Sequence, residues 1–485
     1  MKRLFLTVTL LFAPLPAIAK DGLQQQIEAV LAQAGPGTRW GVVVTDGDGK
    51  EIVSIDPEGR YMPASNTKLF ITAAAFWKLG IRSLEEVDQA GRASAFVIKR
   101  GKRPPDIVLI GRGDARLSSA PDCVIDCLAF LADHVAARTR KVNHVSGNDD
   151  EFDDQRWSPG MSWNNIATRS GTGISALSLD NNEVVLTVTP GSAIEKTATT
   201  SIPRYYTLVN HVMTAESTTV LKLERMPGSR TVYLWGMIAA NAPPQKLVMG
   251  VDDPAEYAAW RFAELLRERG VKITGKVGRQ RPFETKDAAQ AADEAAAMAS
   301  EALADDPPAV LPPPLIEDLL IINKESQNLH AELLLRRLGR QDNVIGSIET
   351  GQKVIAAMLV EAGLKPHQYF FADGSGMSTY NRVAPRGVVT FLRWTQGQSW
   401  GVKFRATLPI GGIDGTLASR FKGTSLEGRI NAKTGTINAT NALAGFFITK
   451  SGKTLTFAAY ANDVPEGVAA TKLVDQALVL VAEAN

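Results

Sequence analysis

The sequence predicts an α/β protein of the α+β kind: an antiparallel sheet with helices, built from both ends of the chain and interrupted by inserted β-rich domain material. Three observations predict it. The chain opens helix-then-hairpin, and it closes hairpin-then-helix. Between about residues 85 and 280 the sequence changes to short β-like runs separated by Gly, Pro and Asn.

The elements follow in order. Lys2 and Arg3 precede an apolar run from Leu4 to Leu15, and Ala17-Ile18-Ala19 supplies a small-x-small cleavage pattern, so residues 1–19 read as a secretion signal and Lys20 as the mature start. The run is broken by Pro14 and Pro16 and is too short to span a bilayer. From Leu23 to Ala34 the spacing is helical. Trp40–Thr45 and Glu51–Ile55 flank Asp46-Gly47-Asp48-Gly49 as a hairpin. Asn66 to Leu79 is an apolar, alanine-rich helix ended by Gly80.

In the middle, Glu183–Thr189, Val220–Leu223 and Thr231–Trp235 read as short strands. Residues 284–314 are low in complexity, Ala with Asp and Glu followed by prolines, which suits a solvated helix and a stiff tether. Asn441–Thr449 and Thr454–Asn462 then flank the turn Lys450-Ser451-Gly452-Lys453 and precede a final helix, Val468 to Ala484. The expected division is 20–84 with 310–485 as one discontinuous domain, 85–283 as the insertion and 284–309 as the tether. A mature chain of 466 residues, 485 less the 19 of the signal, fits two or three domains.

Removing the signal takes Lys2 and Arg3 from the 53 basic residues and leaves 51 against 51 acidic, which gives no reason to expect nucleic acid as a partner. No other long apolar segment occurs, and Val468–Ala484 lacks the basic face of an interfacial anchor, so a soluble periplasmic or extracytoplasmic protein with no membrane span is expected. Cys123 and Cys127 are four apart and either pair or stay as thiols. His134 and His144 have no ligand spacing, and no metal or other cofactor is expected.

Three short motifs carry the chemistry: Ser65-Asn66-Thr67-Lys68, Ser326-Gln327-Asn328 and Lys433-Thr434-Gly435. Each alone is weak, since Ser419-Arg420-Phe421-Lys422 fits the first pattern and Ser146-Gly147-Asn148 and Ser162-Trp163-Asn164 fit the second. Context separates them. Ser65 lies at the start of a long apolar helix, where free N–H groups and the helix dipole favour developing negative charge. Positions three apart share a helix face, so Lys68 lies beside the Ser65 hydroxyl and accepts its proton if the amine is neutral. A desolvated site with a second cation, Lys433, would make it so.

Ser326-Gln327-Asn328 falls between two apolar stretches, where a helix break aims Ser326 at the leaving amine and lets the Asn328 carboxamide hold the substrate amide. Lys433-Thr434-Gly435 lies in a β-like run, Gly428–Ile437, suited to pairing with an extended peptide. There Lys433 and Thr434 would bind a terminal carboxylate, Gly435 would let the backbone come close, and the N–H groups of Thr436 and Ser65 would form an oxyanion hole.

With these motifs in order the sequence resembles the low-molecular-mass penicillin-binding proteins of the D-alanyl-D-alanine carboxypeptidase/endopeptidase type that carry inserted domains. The resemblance extends to Asp373-Gly374-Ser375-Gly376-Met377, Tyr380-Asn381-Arg382-Val383-Ala384-Pro385, Leu408-Pro409-Ile410-Gly411-Gly412, Asp414-Gly415-Thr416-Leu417, Gly111-Arg112-Gly113-Asp114 and Ser175-Ala176-Leu177-Ser178-Leu179 before Asn182. It covers most of the mature chain. It implies a serine DD-peptidase or β-lactamase-like catalytic domain, peptidoglycan peptides as substrate and β-lactam antibiotics as acylating inhibitors. Ser65 would be the nucleophile, Lys68 the base, Ser326 and Asn328 the second wall, and Lys433 to Thr436 the third. Gln327 departs from the Asp expected in the middle of the second motif, and the Ala-rich segment is longer than usual.

Asp373 and Ser375 read as members of a tight Gly-flanked turn and are left out of the site. Arg112-Gly113-Asp114 reads likewise as a turn, and His330 reads as a helix residue, not a triad base. A β-lactamase or esterase on the same frame, and a wall-binding protein without catalysis, are the alternatives. The motifs do not separate carboxypeptidase from endopeptidase, which differ only in the leaving amine.

Overall fold

The structure, a computed structural model, describes residues 20–280, 308–340 and 344–485. The secretion signal and nearly all of the tether fall outside the described residues. Both ends of the chain meet in one five-stranded antiparallel sheet, ordered Ile430–Ile437, Thr440–Ile448, Thr454–Asn462, Arg39–Thr45, Glu51–Ile55. Both faces of this sheet are covered at its middle, which is why Arg39–Thr45, Thr440–Ile448 and Thr454–Asn462 are buried along most of their length. Val42 and Val44 point to one side, where Leu23 and Ile27 of the helix Lys20–Leu31 and Leu478 of the helix Ala470–Ala484 complete a core. Val43 points to the other, against Phe70 of the helix Thr67–Glu85 and Phe391 of the helix Pro385–Gln396.

Gly80 ends the regular part of the Thr67–Glu85 helix as expected, with φ 76° and ψ 158°. A further turn follows because Leu84 is buried in the same core. The expected break near residue 326 is also present. The helix Leu315–Leu320 widens into a π turn over Ile321–Glu325, Ser326 adopts a left-handed conformation (φ 62°), and a new helix runs over Asn328–Gly339.

The middle of the chain forms its own sheets. One has the order Val277–Arg279, Val145–Asn148, Arg103–Ile110, Ala93–Arg100, Ala309–Val310 and includes parallel pairs, with the helices Leu128–Arg138 and Pro254–Glu268 contributing to the core beside it. Two three-stranded sheets face each other across a small core of Leu186, Val188, Val212, Leu234 and Ile238. The predicted strand Thr231–Trp235 runs on to Ala239, because Gly236, at φ 119°, passes close to the Val220 carbonyl, where a Cβ would sit 1.9 Å away. Cys123 and Cys127 are joined in a disulfide, Cα to Cα 5.7 Å, just before the Leu128–Arg138 helix.

Candidate active site

Ser65 lies in a single 3-10 turn, Ala64–Asn66, directly before the Thr67–Glu85 helix. Preceding it, Ala64 has a positive φ of 46°, uncommon for a residue with a Cβ. Neighbours hold this turn. The Asn66 carboxamide donates to the Lys433 carbonyl (2.7 Å) and its oxygen accepts from the buried Tyr460 hydroxyl (3.3 Å). Two glycines permit close backbone approach. A Cβ on Gly435 would lie 2.5 Å from the Pro63 carbonyl oxygen and 3.1 Å from the Ser65 nitrogen, and one on Gly376 would lie 1.9 Å from the Ala64 oxygen.

One helical turn after Ser65, Lys68 is wholly buried. Its Nζ is 2.9 Å from Ser65 Oγ, 2.8 Å from Asn328 Oδ1 and 2.6 Å from the Ser375 carbonyl oxygen. Burial pushes the amine down to about 7, opposed by the charges of Asp373 and Glu332. A neutral amine has two N–H bonds and one lone pair. With Asn328 and Ser375 accepting the two N–H groups, the lone pair faces the Ser65 hydroxyl and is able to take its proton.

Lys433 is also fully buried and sits on the edge strand. Its Nζ donates to Ser326 Oγ (3.0 Å) and to the Thr434 carbonyl (3.1 Å), and burial, followed by the nearby Lys68 charge, holds it well below the usual lysine range. Thr434 Oγ1 donates to Thr416 Oγ1 at 2.7 Å. Thr436 is exposed on the same strand, opposite Asn441. The structure therefore joins Ser65, Lys68 and Asn328 in one cluster, Ser326 and Lys433 in a second, and sets Gly435 against the Ser65 turn.

Three of the remaining sequence candidates lie in other settings. Ser419 sits among turns with no helix after it, Ser146-Gly147-Asn148 belongs to a strand, and Ser162-Trp163-Asn164 enters a short 3-10 turn. His330 is a buried helix residue, its Nε2 2.9 Å from Asn181 Oδ1. Among the described residues no group of three or more His, Cys, Asp or Glu is placed to hold a metal ion, and no helix is long and apolar enough to cross a membrane.

Leaving Asp373 and Ser375 outside the site requires correction. The turn is real: Asp373 accepts from the N–H groups of Gly376 and Ser378 and from Asn381 Nδ2. Yet the turn is buried and delivers the Ser375 carbonyl to Lys68. Glu332 secures it from behind, taking the Gly374 and Ser375 N–H groups on one oxygen while the other pairs with Arg336 at 2.9 Å. Burial and the Glu332 charge push the Asp373 carboxyl up to about 6. Thr416 and Ser170, whose carbonyl accepts from Asn328 Nδ2 at 3.0 Å, were also missed. The Asp414-Gly415-Thr416-Leu417 block was the only sequence signal for either.

Fold and site together define a serine-type peptidase on the frame of the low-molecular-mass penicillin-binding proteins. The chain belongs to the D-Ala-D-Ala carboxypeptidase 3 (S13) family, whose profile matches residues 23–484. Its activity is that of a serine-type D-Ala-D-Ala carboxypeptidase. It is 31% identical to a D-alanyl-D-alanine carboxypeptidase from an Actinomadura species, over 87% of this chain and 78% of that one. It is 23% identical to the D-alanyl-D-alanine carboxypeptidase DacB of Haemophilus influenzae, over 89% and 87%. The crystal structure of penicillin binding protein 4 (dacB) from Haemophilus influenzae shares the fold, with TM-score 0.77 and 20% identity over 93% of this chain and 98% of that one. A second structure of that protein, complexed with a β-lactam, superimposes with TM-score 0.71 at 19% identity over the same shares of the two chains.

Proposed function

We propose that the chain cleaves the terminal D-alanine, and cross-linking peptide bonds as well, from peptidoglycan stem peptides outside the cytoplasm, through an acyl-enzyme on Ser65. The observation that carries this is the Lys68 amine, buried, pushed down to about 7 and hydrogen-bonded so that, once the amine is neutral, its lone pair meets the Ser65 hydroxyl. Ser65 Oγ attacks the carbonyl of the scissile bond as Lys68 takes its proton. The N–H groups of Ser65 and Thr436 receive the oxyanion, with Gly435 keeping the strand close. As the C–N bond breaks, the leaving amine gains a proton through Ser326, whose hydroxyl is held by Lys433. Water then hydrolyses the ester.

Asn328 orients Lys68 and, when substrate enters, offers its carboxamide to the peptide. Lys433 and Thr434 take the terminal carboxylate. A terminal D-alanine and a cross-linking side chain form the same acyl-enzyme, so carboxypeptidase and endopeptidase activity share these residues. β-Lactams enter by the same attack, as supported by the β-lactam complex of the Haemophilus protein. The parts are assigned as 20–84 with 310–485 for catalysis, 85–283 as the insertion and 284–309 as the tether, except that Ala309–Val310 pair with Ala93 and Ser94 and so go with the insertion's sheet.

The test is to incubate the protein and its Ser65→Ala variant with a fluorescent penicillin and follow the covalent label by gel and mass spectrometry. A lasting adduct on Ser65, absent from the variant, is expected. No adduct with no loss of penicillin would overturn the assignment, and rapid penicillin loss without an adduct would point to a β-lactamase.

A further inference from the structure

The three-stranded sheet of the insertion, ordered Val220–Glu224, Thr231–Ala239, Thr207–Ala215, has one face in the core and one in solvent. Its central strand alternates cleanly. Val232, Leu234 and Ile238 are buried, whereas Tyr233, Trp235 and Met237 point outward and are 40%, 42% and 45% exposed. A strand half-facing water normally sets polar residues there. Two large aromatic rings and a methionine in one row on a solvent face mark a contact surface.

The register places polar and charged groups on each side. Trp235 lies opposite Lys222 on one neighbour and His211 on the other, and the His211 and Trp235 rings stack at 4.1 Å, 14° from parallel, so the imidazole covers one face of the indole and braces it upright on the sheet. Tyr233 lies opposite Glu224, which pairs with Lys222 at 2.5 Å. The face is thus aromatic, its Lys222 and Glu224 charges offset each other, and it keeps hydrogen-bonding groups beside the rings. An anionic polymer would call for unpaired cations, and an obligate protein interface for a face stripped of charge. An uncharged polymer with ring C–H faces and hydroxyl edges matches both the exposed rings and the offset charges.

Resting on the peptidoglycan reading above, we infer that the Tyr233–Trp235 face binds the glycan strand of the wall polymer, so that the insertion holds the polysaccharide while the catalytic sheet works on its peptides. Sugar rings would stack on Trp235 and Tyr233, and Lys222, Glu224 and His211 would meet their hydroxyl and acetamido groups.

The test compares the full chain with Tyr233→Ala/Trp235→Ala. Both positions are exposed, and a thermal melt confirms folding; a Trp235→Phe variant, which keeps a ring, serves as a second check. Co-sedimentation with bead-bound, peptide-free glycan strands whose lactyl carboxyls are amidated, which keeps the polymer uncharged, is expected for the parent and the phenylalanine variant and is expected to drop at least tenfold for the double variant. Hydrolysis of a short soluble D-Ala-D-Ala peptide is expected to be equal in all three, and this readout judges the catalytic reading separately. Absence of glycan binding by the folded parent, or equal binding by the double variant, overturns the inference. So does a parent dimer that the double variant abolishes, because a second copy would then cover the face.

Discussion

Lys68 is asked to be a base while two acceptors and a hydroxyl surround it, and its charge state decides the chemistry. Because its folded-state pKa is lowered to about 7, the proton that blocks catalysis is present below that pH and gone above it. The rate of penicillin acylation, followed from pH 5 to 9, is therefore expected to fall about tenfold per unit below 7 and to level off above it. A flat profile through 7 would separate Lys68 from the rate. Lys68→Arg retains a cation that does not give up its proton, and like Lys68→Ala it is expected to slow acylation by about 10²- to 10⁴-fold. Gly435→Ala tests the opposite wall. With a Cβ 2.5 Å from the Pro63 carbonyl oxygen, the strand and the Ser65 turn must part, and acylation is expected to slow by about tenfold or more while circular dichroism is unchanged.

The break between two helices is the element that divides the site, sending Ser326 to Lys433 and Asn328 to Lys68. Gln327 terminates the break, its side-chain oxygen accepting from the Leu329 N–H at 3.3 Å. Gln327→Ala is expected to lower stability by about 1 kcal/mol, read as a shifted urea midpoint, and Gln327→Asp to restore it. An unchanged midpoint in the alanine variant would show that the cap contributes nothing. This break was legible, since six polar residues in a row, Asn323 to Asn328, between two apolar stretches interrupt the helical period and supply a cap for the next helix. The closing hairpin and the shared sheet were legible for a similar reason, as each strand carries its own period and turn. The parallel pairs made by Lys141–Val142 and Val145–Asn148 were not, because runs that short hold too few residues to show a period. Nor was the Ser375 contact. It reaches Lys68 across 307 residues through a backbone carbonyl, a group that every residue possesses.

Across the whole molecule, insertion and catalytic frame are buttressed together. The Pro159 carbonyl accepts from Ser378 Oγ (2.6 Å), the Gly160 carbonyl from the Thr379 N–H (3.0 Å), the Gln155 carbonyl from Arg336, and the Ser170 carbonyl from Asn328. Gly171→Ala would place a Cβ 2.3 Å from the Asn165 oxygen and move the loop that carries Ser170. Acylation is expected to slow by about tenfold although no reacting group is altered, and an unchanged rate would show that the buttress is not needed. The sheet itself has a consequence in time. Its middle strand, Thr454–Asn462, joins Thr440–Ile448 to Arg39–Thr45, so pairings of very long sequence separation complete the frame, and these are slow to form. A nascent chain stalled before Thr454 is expected to contain a protease-resistant insertion and to take up no penicillin label. The hydrolase would then be silent throughout its own synthesis, with no inhibitor or propeptide, and would awaken only when that strand arrives.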